Sequence, residues 1–127
     1  MTKGLDALLG ASLDVETKVY IPRLKTSFTI KALSNEDIRR CNERATVFGQ
    51  RGEKSTDNQM LNALFIAKSC IDPDFNNKAL KEHYGAIDEA DCVVKALLPG
   101  EVTKLLQAVM ELSGFGDEDE MVDEAKN

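Results

Sequence analysis

The sequence predicts an α+β fold, mainly α, in which an N-terminal β-hairpin leads into a bundle of about five helices and an acidic C-terminal tail. Three patterns support this class: apolar–polar alternation over residues 15–33, apolar stripes with helical spacing over 35–114, and a closing run of acids. A chain of 127 residues suits one domain. We therefore expect an N-terminal segment at 1–14, a single globular domain at 15–116 and a flexible acidic tail at 117–127.

The N-terminal segment carries leucines at helical spacing. Leu5, Leu8 and Leu9 share one face of a helix that Gly10 would end. A helix this short is marginal alone, because nucleation is costly. Residues 1–14 are therefore either a short helix or disordered, and the apolar face either packs on the body or binds a partner.

Two stretches with a period of two come next and predict paired strands within residues 15–33. Pro22 suits the end of a strand, and the connector at 23–26 lacks the Asn-Gly signal of a tight hairpin. The residues expected to face inward are Val15, Val19 and Ile21 on the first strand, and Phe28, Ile30 and Ala32 on the second.

Capping residues mark the helices of the domain. Ser34 is a good N-cap, and the acids that follow it suit the positive end of the helix dipole. Pro99 is placed as an early residue of the last helix, and residues 49–56 are polar enough for a loop. Further starts are predicted at Asp57 or Thr56, at Asn76 or Asn77, and at Asp88, and helix ends at Gly49, Gly85 and Gly114.

Each helix has a set of residues expected to face the core. On the first helix of the domain these are Ile38, Cys41, Ala45 and Phe48, and on the second they are Met60, Leu61, Leu64, Phe65, Ala67 and Ile71. The two short helices that follow contribute Ala79, Leu80 and Tyr84, then Ala90, Val93, Val94, Leu97 and Leu98. The last helix contributes Val102, Leu105, Leu106, Val109, Met110 and Leu112.

Charge is concentrated at the end of the chain. The net charge is −6, and residues 117–127, with six acids and one base, hold −5 of it. A body that is nearly neutral lacks the basic face that nucleic-acid binding needs. No stretch is long and apolar enough to span a membrane. The tail is typical of a disordered, solubilising extension.

No residue pattern in the sequence predicts catalysis or a metal site. Cys41, Cys70 and Cys92 are widely spaced and lie on apolar helix sides, so we expect buried reduced thiols rather than a disulfide or zinc framework. His83 is the only histidine, and no nucleophile or carboxylate pattern marks it as catalytic. We therefore expect no enzyme activity, no cofactor and no metal, which leaves a binding or structural role.

Two loops look like ligand motifs but depart from them. The stretch at 49–56 contains glycines and a lysine, yet its spacing is wrong for a phosphate-binding loop and no strand is predicted before it. The stretch that begins at Asp72 looks like a calcium loop. Its sixth position is Asn77 where glycine is needed, and its twelfth is His83 where a glutamate is needed. A proline turn followed by a helix cap explains it better.

Six segments in a fixed order resemble one known family. They are Gly4–Gly10, Val19–Leu24, Phe28–Leu33, Asp72–Phe75, Leu97–Glu101 and Glu111–Phe115. Their order and spacing are similar to those of the XkdN-like tail assembly chaperones of Gram-positive phages and phage-tail-like bacteriocins. The resemblance spans nearly the whole chain, and the family has no catalytic residues to assign.

The resemblance implies a helper protein that acts in the host bacterial cytoplasm. Such a chaperone binds the long helical tape measure protein before the tail tube polymerises around it, helps to recruit the tail tube protein, and is absent from the finished tail. The family also implies a frameshifted longer form of the same chain. Ala125-Lys126-Asn127 can be encoded by a slippery string, so we expect the shift there. The sequence is compatible with self-association of the chain but does not predict it.

Five residues are the candidate partner contacts. Leu5, Leu8, Leu9, Phe115 and Met121 are apolar residues in segments too short or too charged to need them for a core. The alternative for each is packing on its own body. Two other functions are also compatible with the sequence: a structural tail or connector subunit, and an acidic protein-binding adaptor.

Overall fold

The computed structural model describes residues 2–115, and within this range the chain forms six α-helices and five β-strands. The predicted α+β, mainly α class is confirmed. The elements in chain order are α1 (Lys3–Gly10), β1 (Glu16–Ile21), β2 (Thr26–Lys31), α2 (Asn35–Ala45), β3 (Thr46–Phe48), β4 (Lys54–Thr56), α3 (Asn58–Ser69), β5 (Cys70–Asp72), α4 (Lys78–Tyr84), α5 (Glu89–Ala96) and α6 (Pro99–Leu112). None of these helices is long and apolar enough to cross a membrane.

The predicted hairpin forms the larger sheet, which has a third strand. The strand order is β1-β2-β5, all antiparallel, with Val19 opposite Phe28 in the first pair. Ile21 and Ile30 are fully buried on the inner face. Strand β5 corrects the prediction for Ile71, because this residue leaves α3 for the strand and is 43% exposed. Val15 lies before the strand and is also exposed.

A short 3₁₀ turn at Pro22–Leu24 connects β1 to β2, and Lys25 closes it in the left-handed region at φ 54°. Arg23 in this turn reaches α6. Its Nη2 donates to Glu101 Oε1 at 2.8 Å, and its Nε donates to Oε2 at 2.9 Å. Glu101 also accepts from the backbone N–H of Leu98 at 2.8 Å. The hairpin is thus fastened to the start of the last helix by a bidentate ion pair.

Most of the predicted caps are confirmed. The Ser34 and Asp37 side chains exchange hydrogen bonds with each other's backbone in a capping box. Asp57, Asn77 and Asp88 each accept from the backbone N–H three residues later. Pro99 stands in the first turn of α6, as expected.

The prediction for Phe48 is wrong. Helix α2 ends at Ala45, and Thr46–Phe48 pairs with Lys54–Thr56 as a separate two-stranded sheet. The residues expected to be a loop at 49–56 therefore include strand β4. Phe48 is 67% exposed, with Lys54 Nζ 5.9 Å from its ring centroid. Thr46 and Val47 are β-branched, which favours strand over helix at this point.

The core lies between the inner face of the larger sheet and the helices. Helix α3 is central, because it contacts α2, α5, α6 and β5. Ile66 on α3 and Leu105 on α6 are fully buried. Phe28 and Phe75 meet edge to face, with ring centroids 6.2 Å apart. Cys41, Cys70 and Cys92 are all buried free thiols, as predicted.

Candidate functional site

Helix α1 presents its leucines to solvent. The Thr2 hydroxyl caps it by accepting from the Leu5 N–H at 3.2 Å, and none of its residues is buried. Leu5, Leu8 and Leu9 are 44, 77 and 70% exposed. An eight-residue helix gains little from propensity alone, so an apolar face that residues 2–115 leave uncovered makes it a candidate for partner binding.

The segments at the two ends of the described chain meet beside one open cleft. This cleft, which we call the end cleft, has a volume of about 300 Å³ and is lined by residues 13–15, 31–34, 37 and 112–114. The backbone N–H of Ala32 donates to Val15 O at 2.8 Å, and that of Leu33 donates to Ser113 Oγ at 2.8 Å. The two residues directly after β2 thus hold the linker after α1 and the end of α6 side by side.

Phe115 leaves the body at this cleft. Gly114 adopts φ 98° and its N–H donates to Glu111 O at 3.1 Å, while the Phe115 N–H donates to Met110 O at 3.0 Å. These two bonds form a Schellman motif, which confirms Gly114 as the predicted helix stop. The Phe115 side chain is 54% exposed. Met121 and the acidic residues 117–127 lie outside the described residues.

A second apolar surface lies on the body and was not predicted from the sequence. Two adjoining cavities of about 220 and 230 Å³ lie between α3 and α5, and the first extends to the start of α6. Both are lined by Gln59, Ala63 and Val94. The predictions that Val94 and Leu98 face the core are wrong, because Val94 is 41% exposed and Leu98 is 54% exposed. Val93 and Val94 are adjacent and point about 100° apart, so only one of them can face the core squarely. The adjacency of these two valines is therefore the feature of the sequence that could have indicated an exposed one.

A further large cleft has polar walls. It has a volume of about 390 Å³ and lies between α2, α3 and the turn after β5, with ionic residues on its walls. These residues pair with each other: Arg44 with Glu89, and Lys68 with Asp37 at 3.8 Å. Mutual pairing leaves little net charge to attract a charged ligand.

The two thiols at this polar cleft are poor nucleophiles. Burial raises the pKa of Cys70 to about 12. Burial also raises the pKa of Cys41. Both are therefore protonated at neutral pH, and a protonated thiol is not a reactive one. Within residues 2–115, no three metal-ligating side chains come together. His83 is exposed on α4, as expected, and stacks edge to face on Tyr84.

Comparison with known proteins gives consistent matches. Residues 5–126 match the family described as phage XkdN-like tail assembly chaperone protein. The phage-like element PBSX protein XkdN of Bacillus subtilis strain 168 is 31% identical over 106 residues, which cover 79% of this chain and 72% of XkdN. The uncharacterized protein YqbN of that strain is 28% identical over 103 residues, which cover 77% of this chain and 69% of YqbN.

A solved structure shows the same fold. The crystal structure of YqbN superimposes with a TM-score of 0.68 at 22% identity and covers 84% of this chain and 92% of that one.

Proposed function

The chain belongs to the XkdN-like phage tail assembly chaperone family, and we propose that it binds the tape measure protein before the tail tube polymerises around it. A tape measure protein is a long helix with apolar stripes, and an unpaired stripe aggregates. A chaperone that covers the stripe keeps the protein soluble and helps to recruit the tail tube protein. It acts in the host cytoplasm and is absent from the finished tail.

The uncovered face of α1 is the observation that supports this proposal best. Leu5, Leu8 and Leu9 have i, i+3, i+4 spacing, which is how one helix packs against another. Phe115 leaves the body at the end cleft, beside the linker to α1, so it can contact the same helix. Met121 completes the proposed contact set.

Replacing two leucines of α1 tests the contact. The double variant Leu8→Ser/Leu9→Ser should bind the tape measure protein at least about tenfold more weakly in co-purification, because each buried leucine contributes about 1.5–3 kcal/mol. Its melting temperature should match that of the unmodified chain, since neither side chain is buried. Ile87→Ser is the matched control, because Ile87 is 86% exposed but lies outside the proposed contact set.

Two outcomes would contradict the proposal. Full retention of the tape measure protein by the double variant would show that α1 does not take part in the contact. A large fall in melting temperature would show instead that these leucines support the fold.

Purified particles distinguish a chaperone from the alternatives. Mass spectrometry of mature tails should find the tube and tape measure proteins but not this chain. Its presence at a fixed ratio to the tube protein would favour a structural tail or connector subunit.

We also propose that a longer form of the chain takes part in assembly. Reading the gene tests this directly: the codons for Ala125-Lys126-Asn127 should form a slippery string followed by an overlapping frame. Codons that cannot slip, or a stop in the shifted frame, would exclude the longer form.

A further inference from the structure

Strand β1 is an outer strand of the larger sheet, and its free edge has a defined pattern. The Ala32 N–H donates to Val15 O at 2.8 Å, which fixes the odd-numbered residues of β1 as those bonded to β2. The backbone N–H and C=O groups of Glu16, Lys18 and Tyr20 therefore point to the open edge. An unpaired strand edge is a template for another strand.

Two neighbouring contacts close the ends of this edge. Lys104 Nζ donates to Tyr20 O at 2.6 Å. At the other end the Asp14 N–H donates to Ser12 Oγ at 3.0 Å. Glu16, Thr17 and Lys18 between them are exposed, and within residues 2–115 the outward groups of Glu16 and Lys18 have no hydrogen-bond partner. The open edge is thus three residues long and centred on Thr17, and we call it the β1 window.

We propose that the β1 window pairs antiparallel with the β1 window of a second copy of this chain, about a twofold axis at Thr17. In this register Glu16 lies opposite Lys18 of the second copy, and Lys18 lies opposite Glu16 of the second copy. The four outward groups on each strand then form four backbone hydrogen bonds between the copies. The inference is independent of the tape measure contact.

The side chains favour this register. Glu16 and Lys18 project from the same exposed face, because alternate residues of a strand share a face. Opposite charges therefore meet at both pairs, and such cross-strand pairs are stabilising. Val15, which is 44% exposed, comes opposite Val19 of the second copy and gains an apolar neighbour.

The neighbouring register centred on Lys18 is disfavoured on two grounds. A twofold axis at Lys18 would place two lysines opposite each other. It would also need the outward carbonyl of Tyr20, which Lys104 already holds. The self-complementary order of charges, acid then base across one intervening residue, selects a second copy of the chain over a strand from another protein.

Charge reversal tests the register on the full chain by sedimentation velocity at up to about 1 mM protein. The unmodified chain should shift from monomer to dimer as its concentration rises. Glu16→Lys alone, or Lys18→Glu alone, places like charges at both pairs, so each should weaken association about tenfold or more. The double variant Glu16→Lys/Lys18→Glu restores opposite charges and should dimerise like the unmodified chain.

Mixing the two single reversals gives the sharpest result. One copy then carries two acids in the window and the other two bases, so the equimolar mixture should form a heterodimer more readily than either variant self-associates. Lys18→Pro should abolish pairing, because it removes an outward N–H and no bond to β2. Leu8→Ser/Leu9→Ser should still dimerise, which separates this inference from the tape measure contact.

Three results would overturn the pairing. They are an unmodified chain that stays monomeric throughout the range, single reversals that associate as well as the unmodified chain, and a mixture that forms no heterodimer. Thermal melts of the charge-reversal variants should agree with that of the unmodified monomer, since both substituted side chains are exposed.

Discussion

Helices α1 and α3 have similar caps and similar apolar spacing, but only α3 is buried in the core. Thr2 caps α1 and Asp57 caps α3, each through a side-chain oxygen that accepts a backbone N–H, and both helices carry apolar residues at helical spacing. Yet α3 has five buried residues and α1 has none. The difference teaches that capping and periodicity specify a helix, whereas the surface opposite decides whether its apolar face becomes core.

Truncating a core residue of α3 should have the largest effect. Ile66→Ala removes a fully buried side chain from the centre of the fold and should lower the free energy of unfolding by about 2–5 kcal/mol. Leu8→Ala on α1 should change it by less than about 0.5 kcal/mol. Urea denaturation measures both values. Similar losses for the two variants would remove the distinction between the helices.

Removing the caps should give a smaller contrast of the same kind. Asp57→Ala should cost about 1 kcal/mol of global stability, because the first turn of α3 loses a hydrogen-bond acceptor. Thr2→Ala should leave global unfolding unchanged, because no residue of α1 is buried and we expect this helix to open independently of the body. Hydrogen exchange should then be faster only at the α1 amides. Faster exchange across α3 in the Thr2 variant would contradict this independence.

The smallest effect should come from the ion pair that joins the hairpin turn to α6, and it should depend on pH. The hydrogen bond from Arg23 lowers the pKa of Glu101 from its ordinary 4.5; burial opposes this, and the Leu98 N–H adds to it. A carboxyl whose folded pKa is lowered stabilises the fold above the unfolded pKa. This stabilisation is lost as pH falls through the folded pKa.

Glu101→Gln should therefore be less stable than the unmodified chain at pH 7, by less than the Asp57 variant. The difference in stability between the variant and the unmodified chain should narrow as pH falls below about 4.5. Melting temperatures measured from pH 7 to pH 3 check this. Arg23→Gln should show the same narrowing, because it removes the cause of the shift. A difference in melting temperature that is constant over this pH range would mean that Glu101 stabilises the fold through packing alone.

Most helix starts and stops could be predicted from the sequence, because the residues that fix them are close together in the chain. Ser34, Asp57, Asn77 and Asp88 each bond to a backbone group three residues away, so the whole interaction lies within one short stretch of sequence. Gly114 is similar, because its positive φ and its two flanking hydrogen bonds belong to one turn.

Distant pairing made the short strands unpredictable. Strand β5 has three residues, and it exists because β2, about forty positions earlier in the chain, offers an edge to it. Phe48 has helical spacing from Ala45, yet it pairs with Lys54 across a turn. For Leu8 the sequence left two alternatives, packing on the body or binding a partner, and only the folded body shows that residues 2–115 leave it exposed.

The linker after α1 and the end of α6 meet at the end cleft, and this affects how strongly a partner can be held. If α1 and the Phe115 segment grip the same helix, the first contact makes the second one intramolecular. A short tether gives an effective concentration in the millimolar range, so two contacts that are weak separately combine into a firm but reversible hold. Releasing either contact then weakens the other, which suits the reversible binding that the proposed chaperone role needs.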